Sequence, residues 1–455
     1  MKIIIVGLGR TGLSLIKNLV MENHDIVVID TDGARVQESI EKFDVNGVVG
    51  NGCLAPILEE AGAATADLLI AVTDRDAINI LSCLVGKSLG TGHLIAQVRD
   101  PEYYSNFDSM GEHLGINMFV NLEATLARKI TRVLKAPAEV DLNSFASGRL
   151  EIAEFTVAEN SRVCGKTLSQ VRSNHKKDFL AISVVREGGE EAIVPNGFTQ
   201  LLAGDVVTVC AKHHELRDVL GYFGLPKRRI QSVMILGCEE RVYYLASELL
   251  AEGLKIKVIG KEREQCESLK SRIKELDVIC DDYNNKEVLE REGIDYTDAL
   301  VAVTPSDENN IVASLYAKTH NIKKIVTVVN SDLYKDMLED VELNLVVSPY
   351  ELAGLSIAKY IRSINVPKDS QIISMRKIAG EKAEALQFNI GKNPAFVGKK
   401  IAVLAKRLKS GVLMCAIIRK HLPIIPNGDT VLEEDDYIIV ASLEKKIEKL
   451  EDLLK

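Results

Sequence analysis

The sequence predicts an α/β chain in which one two-part unit occurs twice. Each unit is a parallel-sheet domain followed by a small α+β module. Three observations predict this. Two strand–turn–helix openings, "MKIIIVGLGRTG" and "QSVMILGCEE", stand in register with each other. "DLLIAVTDRDAINILSCLVGK" (Asp67–Lys87) and "DALVAVTPSDENNIVASLYAK" (Asp298–Lys318) are identical at ten of 21 ungapped positions, too many for chance. Further on, "VCGKTL" (Val163–Leu168) and "IVPNG" (Ile193–Gly197) return as "FVGKKI" (Phe396–Ile401) and "IIPNG" (Ile424–Gly428).

The elements follow in order. Ile3–Val6 is a short apolar run ending at Gly7, and an amphipathic helix pattern starts near Thr11. Strand patterns recur at Asp25–Asp30, Asn46–Val49, Asp67–Val72 and His93–Val98. Helical stretches lie between them, after Asp32, near Pro56–Ala61 and from Asp76, with Asp76 read as an N-cap. Such alternation calls for a parallel sheet with helices on both faces. In the following module Ile152–Val157, Ala181–Arg186 and Asp205–Cys210 read as strands, with a Pro-Asn-Gly turn and a helix around Thr167–Ser173. Charged helical connectors run over Leu122–Leu134 and Glu351–Ile364. The expected borders are 1–120, 121–144, 145–226, 227–348, 349–370 and 371–455.

At 455 residues the chain exceeds one ordinary core. Its 46% hydrophobic and 27% charged content is that of a soluble globular protein. No apolar run is long enough to span a bilayer, and the first residues do not read as a signal peptide. A role at a membrane is therefore expected to need a membrane partner. The net charge of −9 argues against a nucleic-acid surface. The densest basic stretches, Asn174–Phe179 and Pro226–Ile230, read as solvated loops. Eight scattered cysteines without a C-x-x-C read as reduced thiols, with neither a metal site nor a disulfide framework. His213 and His214, being adjacent, read as surface residues.

The first turn carries the chemistry. Gly7, Gly9 and Gly12 form G-x-G-x-x-G between a strand and a helix, with Leu8, Arg10 and Thr11 between the glycines. Gly7 permits the tight turn, Gly9 lets the backbone approach a pyrophosphate, and Gly12 lets the helix pack on the strand. The helix N-terminus offers N–H groups and partial positive charge to phosphates. Asp30, closing the second strand, is placed to accept both ribose hydroxyls and disfavours a 2′-phosphate. NAD(H), ATP and ADP are not separated by it. Arg10 reads either as a phosphate ligand or as a solvated side chain. Asn51 and Gly52 in "GNGC" follow the third strand, where an adenine would lie, and Thr73 in "AVTD" ends the fourth. Arg99, after the fifth strand, reads as a phosphate contact or a surface ion pair.

The second turn keeps only Gly237. Cys238, Glu239, Glu240 and Arg241 stand where a phosphate would lie, and Gly260 replaces Asp30. This half reads as a structural pseudo-site rather than a site for another ligand. The rival functional reading is an NAD-dependent oxidoreductase. No substrate domain follows the first sheet unit, however, and no Lys–Asp or His–Asp/Glu arrangement faces a nicotinamide.

The motifs "VGLGRTG", "VVID", "GNG", "ADLLIAVTDRDAINIL", "VRDPEYY" and "DALVAVTPSDENN", with the paired "GKTL…IVPNG" and "GKKI…IIPNG" modules, are together similar to one family. The chain resembles the regulatory subunits of Trk-type potassium uptake systems, built of two RCK (KTN) units, over nearly its whole length. The resemblance implies Rossmann-like N-domains that bind NAD(H), with ATP and ADP as further nucleotides, as a signal and without catalysis. It implies a homo-oligomeric ring, cytoplasmic and peripheral on the inner face of the membrane, beneath a potassium-translocating subunit. Carried over, the ligand residues are Gly7, Gly9, Arg10, Gly12, Asp30, Asn51, Thr73 and Glu123. Arg10 then matches a contact to a terminal phosphate, and Glu123 an acidic position near the phosphates or a cation bound to them. Two departures stand out: Gln97 where the family often has a basic residue, and the missing glycines of the second half.

Overall fold

The computed structural model describes the chain except for 21–23, 107–110, 112, 136–140, 146–148, 175–177, 187, 190, 226–229, 321, 339–340, 342, 344, 365–371, 380–381, 421, 444–446 and 448. The basic stretches at 175–177 and 226–229 thus lie outside the described residues.

The first sheet domain runs β1 (Lys2–Val6), α1 (Arg10–Val20), β2 (Asp25–Asp30), α2 (Gly33–Phe43), β3 (Asn46–Val49), α3 (Ala55–Glu60), β4 (Leu68–Ala71), α4 (Asp76–Leu89), β5 (His93–Gln97), α5 (Pro101–Ser105) and β6 (Met118–Val120), then the connector α6 (Leu122–Lys135). The first small module holds β7 (Asp141–Phe145), β8 (Leu150–Thr156), α7 (Leu168–Ser173), β9 (Phe179–Val185), β10 (Ala192–Ile193), β11 (Val206–Lys212) and α8 (His213–Tyr222). The second sheet domain repeats the first as β12 (Ser232–Leu236), α9 (Glu240–Ala251), β13 (Lys255–Gly260), α10 (Arg263–Arg272), β14 (Asp277–Cys280), α11 (Lys286–Arg291), β15 (Ala299–Ala302), α12 (Asp307–Lys318), β16 (Lys324–Val328), α13 (Asp332–Leu338) and β17 (Leu345–Val347), with connector α14 (Pro349–Ile364). The last module has β18 (Ile372–Ile378), β19 (Ala383–Asn389), α15 (Ile401–Ala405), β20 (Val412–Arg419), β21 (Leu422–Ile424) and β22 (Tyr437–Ser442).

Contacts gather these pieces into two units that cut across the chain order. One joins Met1–Lys135 to Ile230–Ile361, the other Ala136–Arg229 to Arg362–Lys455.

In the first unit both sheets are parallel, ordered β3-β2-β1-β4-β5-β6 and β14-β13-β12-β15-β16-β17. The order reverses between β1 and β4, which opens a crevice at the carboxyl ends of those strands. Ile3, Ile4 and Ile5 are all buried, as strands covered on both faces require. The connectors are exchanged. The α6 residues Leu126, Ala127, Ile130 and Leu134 join the core of the second sheet domain, against Val242, Leu245, Ala246 and Leu249 of α9. In return, Ala353, Ile357, Ala358 and Ile361 of α14 pack on Leu15, Ile16 and Leu19 of α1 in the first. The two helices cross closely at Gly354, where a Cβ would sit 2.9 Å from Asn18 Nδ2.

The second unit is two antiparallel sheets, β10-β9-β11-β8-β7 and β18-β19-β22-β20-β21. Each module has its own core, and a third apolar cluster is shared: Phe145, Ile152, Ile182 and Cys210 meet Ala383, Ala385, Cys415 and Ile439. The short helix α7 carries a capping box, Thr167 with Gln170. Strands β7 and β10 escaped the sequence reading. In each module a buried aspartate clasps an arginine, Asp205 with Arg186 and Asp436 with Arg419.

Candidate functional site

The crevice over β1, β2 and β4 is shaped by three glycines with three different jobs. Gly7 has φ +103°, a left-handed conformation, and a Cβ there would lie 2.9 Å from Thr73 N. Gly12 abuts the turn itself: a Cβ would fall 2.0 Å from Gly7 O. Gly9 is different, because its Cβ would meet nothing within 4 Å. The fold does not need a glycine at Gly9; an incoming group would. Leu8 and Thr11 point inward and are buried, while Arg10, at the first turn of α1, is exposed and lies 5.8 Å from the Tyr350 ring of α14.

Asp30 stands beside this turn. Its Oδ2 accepts the Leu8 N–H at 2.6 Å and its Oδ1 the Asp32 N–H at 2.9 Å. A carboxylate has about four acceptor sites, so capacity remains for ribose hydroxyls. Gly7–Gly12, Asp30 and Thr73 are thus brought together at one crest. Thr73 plays a structural part there: its Oγ1 bonds Asn79 Oδ1 at 2.7 Å, and Asn79 Nδ2 reaches Thr73 O at 3.1 Å and Gln97 O at 2.9 Å. Thr304 and Asn310 repeat the network in the second half, so it serves the fold in both. Asn51 forms a local turn, its Oδ1 accepting Cys53 N–H at 3.0 Å, and Gly52 packs on Val6.

Arg99 and Glu123 sit further along the crest, linked by backbone. Arg99 O accepts from Asn121 Nδ2 at 3.1 Å and from the Tyr244 hydroxyl of α9 at 2.8 Å. Burial pushes the Tyr244 hydroxyl pKa up, and the neighbouring Glu123 charge adds to the rise. Glu123 Oε2 is buried without a hydrogen-bond partner among the described residues. Gln97, 0% exposed, has no partner among the described residues for either side-chain polar atom. Unpaired buried polar atoms are costly, and sequence reading had no signal for them.

Asp76 corrects an expectation. Arg75, not Asp76, is the N-cap of α4. The Asp76 carboxylate instead accepts the N–H groups of Arg99 and Asp100 at 2.9–3.0 Å, fixing the turn after β5. Asp307 does the same for Asn330 and Ser331. A helix-start aspartate is indistinguishable from a cap by sequence, since both stand beside the same free N–H groups.

In the second half the crevice is filled. Glu239 replaces Gly9, and burial raises its carboxyl pKa. Its Oε2, unpartnered among the described residues, would sit 2.9 Å from a Cβ on Gly237. Glu240 holds Arg272 through bonds of 2.7 and 2.9 Å, and that guanidinium stacks on Tyr243. Tyr283, largely buried, stands where the first half has Gly52.

The fold and site together define a chain of two Rossmann-type domains, one with its ligand crevice intact. Comparison gives the family. The model of the TrkA-N domain matches residues 3–121 and 233–349, and that of the TrkA-C domain matches 152–224 and 385–455. The chain therefore belongs to the TrkA family, with the N–C pair present twice. It is 29% identical to the Trk system potassium uptake protein TrkA homolog of Archaeoglobus fulgidus, covering 100% of both chains. Against the Trk system potassium uptake protein TrkA of Vibrio alginolyticus it is 28% identical, covering 98% of this chain and 96% of that one. Among solved structures it is similar to the GsuK RCK domain (TM-score 0.62, 21% identity, 97% of this chain and 92% of that chain). The GsuK channel bound to NAD gives a TM-score of 0.63 at 22% identity, over 97% of this chain and 76% of that chain. At these identities the likeness is one of fold.

Proposed function

We propose that the chain is the nucleotide-sensing regulatory subunit of a Trk-type potassium uptake system, binding NAD(H), or ATP and ADP, in its first sheet domain. One observation carries this reading: Gly9 faces open space beside a ribose-ready Asp30, while the corresponding crevice of the second half is filled by Glu239 and Tyr283. The names of the full-length relatives, and of a structural neighbour bound to NAD, support the same reading. Among the described residues no helix is long and apolar enough to cross a membrane. In this reading, which the Trk system names of the relatives support, the subunit acts from the cytoplasmic face as a homo-oligomeric ring under a potassium-translocating partner.

The chain's own residues supply the coupling. The free N–H groups opening α1 hold phosphate oxygens, and Asp30 orients the ribose. Asn51 and Gly52 flank the base, Thr73 and Arg99 border the crest, and Arg10 neutralises the outermost phosphate. Arg10 also lies against Tyr350, and Glu123 lies near Tyr244, so both polar ends of the crevice touch the other half through the exchanged helices. A ligand there favours whichever arrangement of the halves gives it better contacts, and shifts the gate by that difference alone. No proton or hydride transfer is needed.

Calorimetric titration of the purified chain with NADH, ATP and ADP tests the reading. One nucleotide per chain is expected, lost in Asp30→Ala. Two per chain, no binding of any of the three, or steady NADH turnover would each overturn it.

A further inference from the structure

The second crevice has been rebuilt with sulfur. Leu8 of the first half is answered by Cys238, Val36 by Cys266, and Asp30 by Gly260. Cys280 ends β14 opposite Gly260, as Val49 ends β3 opposite Asp30. The sequence disperses these cysteines over a turn, a helix and a strand end, and the fold collects them.

Cys266 is the middle member. Its Sγ lies 3.6 Å from Cys238 Sγ, while Cys280, the strand neighbour of Gly260, turns its Sγ to Lys261 O at 3.8 Å on the rim of the same crevice. Gly260 makes room for the group: a Cβ there would fall 2.3 Å from Cys238 Sγ and 2.7 Å from Cys266 Sγ. The loss of the ribose acceptor and the gain of thiols are one change of shape. Cys238 and Cys266 are buried and Cys280 is exposed, so the cluster has one solvent-facing end. Burial pushes the Cys238 and Cys266 thiols up, which keeps them protonated and slow toward solvent oxidants. Among the described residues no set of His, Cys, Asp or Glu is disposed to hold a metal ion. Two thiols in contact beneath an exposed third are the parts that thiol–disulfide exchange requires.

We propose that this crevice is a thiol–disulfide exchange site, in which Cys280 takes oxidising equivalents from a small-molecule disulfide and passes them through Cys266 to a buried Cys238–Cys266 bond. The Cys280 thiolate attacks one sulfur of R–S–S–R, forming a mixed disulfide and releasing RS⁻, which takes up the proton Cys280 lost. Cys266, losing its proton, attacks the Cys280 sulfur and expels the second RS⁻ as RSH. Cys238 then attacks the Cys266 sulfur, and Cys280 leaves to regain a proton. Two protein thiols are oxidised, and the external disulfide is reduced to two thiols. The bond ties the turn before α9 to α10, out of reach of solvent.

The test incubates the full chain with oxidised glutathione, counts free thiols after denaturation, and maps linked peptides by mass spectrometry. Wild type should lose two of its eight thiols without retaining glutathione, and yield a Cys238–Cys266 link. Cys238→Ser should stop at a Cys266–Cys280 link. Cys280→Ser, an exposed and conservative change, should slow the loss at least about tenfold while melting as wild type does. Glutathione held on Cys280 beside free Cys238 and Cys266 would overturn the proposal. So would an unreactive chain, or a Cys280→Ser variant that forms the buried link at the wild-type rate.

Discussion

Placing the second half's glutamate into the first, Gly9→Glu, separates ligand chemistry from folding. Gly9 does not occupy the left-handed region, and its Cβ direction is empty to 4 Å. Replacing glycine at such a position stabilises a chain by about 0.4–1 kcal/mol through the unfolded state. A carboxylate at a helix N-terminus adds roughly 0.3–1 kcal/mol. The same carboxylate would stand about 4 Å from a bound phosphate charge, which at an effective dielectric near 20 costs about 4 kcal/mol. That is nearly a thousandfold in Kd. Calorimetry with NADH should therefore show binding weakened at least about a hundredfold, with a thermal midpoint unchanged or slightly raised. Gly12→Ala is the counterpart: its Cβ would fall 2.0 Å from Gly7 O, so the backbone must shift, at a cost of about 1–3 kcal/mol. Wild-type affinity in Gly9→Glu, or a midpoint as low as that of Gly12→Ala, would refute the division of roles among the glycines.

Asp30→Ala removes an acceptor worth about 1.5–3 kcal/mol per charge-assisted bond, so nucleotide affinity should fall at least about tenfold by fluorescence titration. Lys324, 2% exposed and bonded to Val133 O, has its ammonium pKa lowered by burial to about 8. The unfolded chain then holds the extra proton from about pH 8 up to the ordinary 10.5, so stability rises with pH across that window. Denaturation of wild type against Lys324→Met should show a pH-dependent difference of order 3 kcal/mol there, flat in the variant. Asp436, 1% exposed, takes Arg419 Nε at 2.9 Å, Nη2 at 2.8 Å and the Glu433 N–H at 2.8 Å. Asp436→Ala should lower stability by roughly 1.5–3 kcal/mol in urea unfolding, because it removes two charge-assisted bonds from Arg419 and the acceptor of the Glu433 N–H, while Arg419 keeps Glu433 and Val431 O.

The repeat and the glycine turn were legible because strand length, glycine position and terminal aspartate are local signals. Thr73 was legible as a strand-end residue, but its engagement with Asn79 was not, since the partner lies a helical turn further on. The exchange of α6 and α14 was invisible for a plainer reason. The apolar faces of Leu126–Leu134 and Ala353–Ile361 declare that they will be buried, and not against which sheet. The sequence singles out Glu123 and Gln97 by resemblance alone; that Glu123 Oε2 and both Gln97 side-chain polar atoms are buried without a partner among the described residues is a matter of three-dimensional packing. The three cysteines of the second crevice read as unrelated thiols until the turn after β12, α10 and β14 bring them to one crevice.

The exchanged connectors carry a consequence for symmetry. A chain of only one sheet domain and its helix would be unfinished, with α1 uncovered and its own connector seeking another sheet, so two copies would have to trade helices. Such a pair is bound by its two-fold axis: whatever one crevice becomes, the other becomes as well. Joining both halves in one polypeptide keeps the trade and releases that bond. Each crevice can then change alone, and here one has stayed open while its twin has become packing and sulfur.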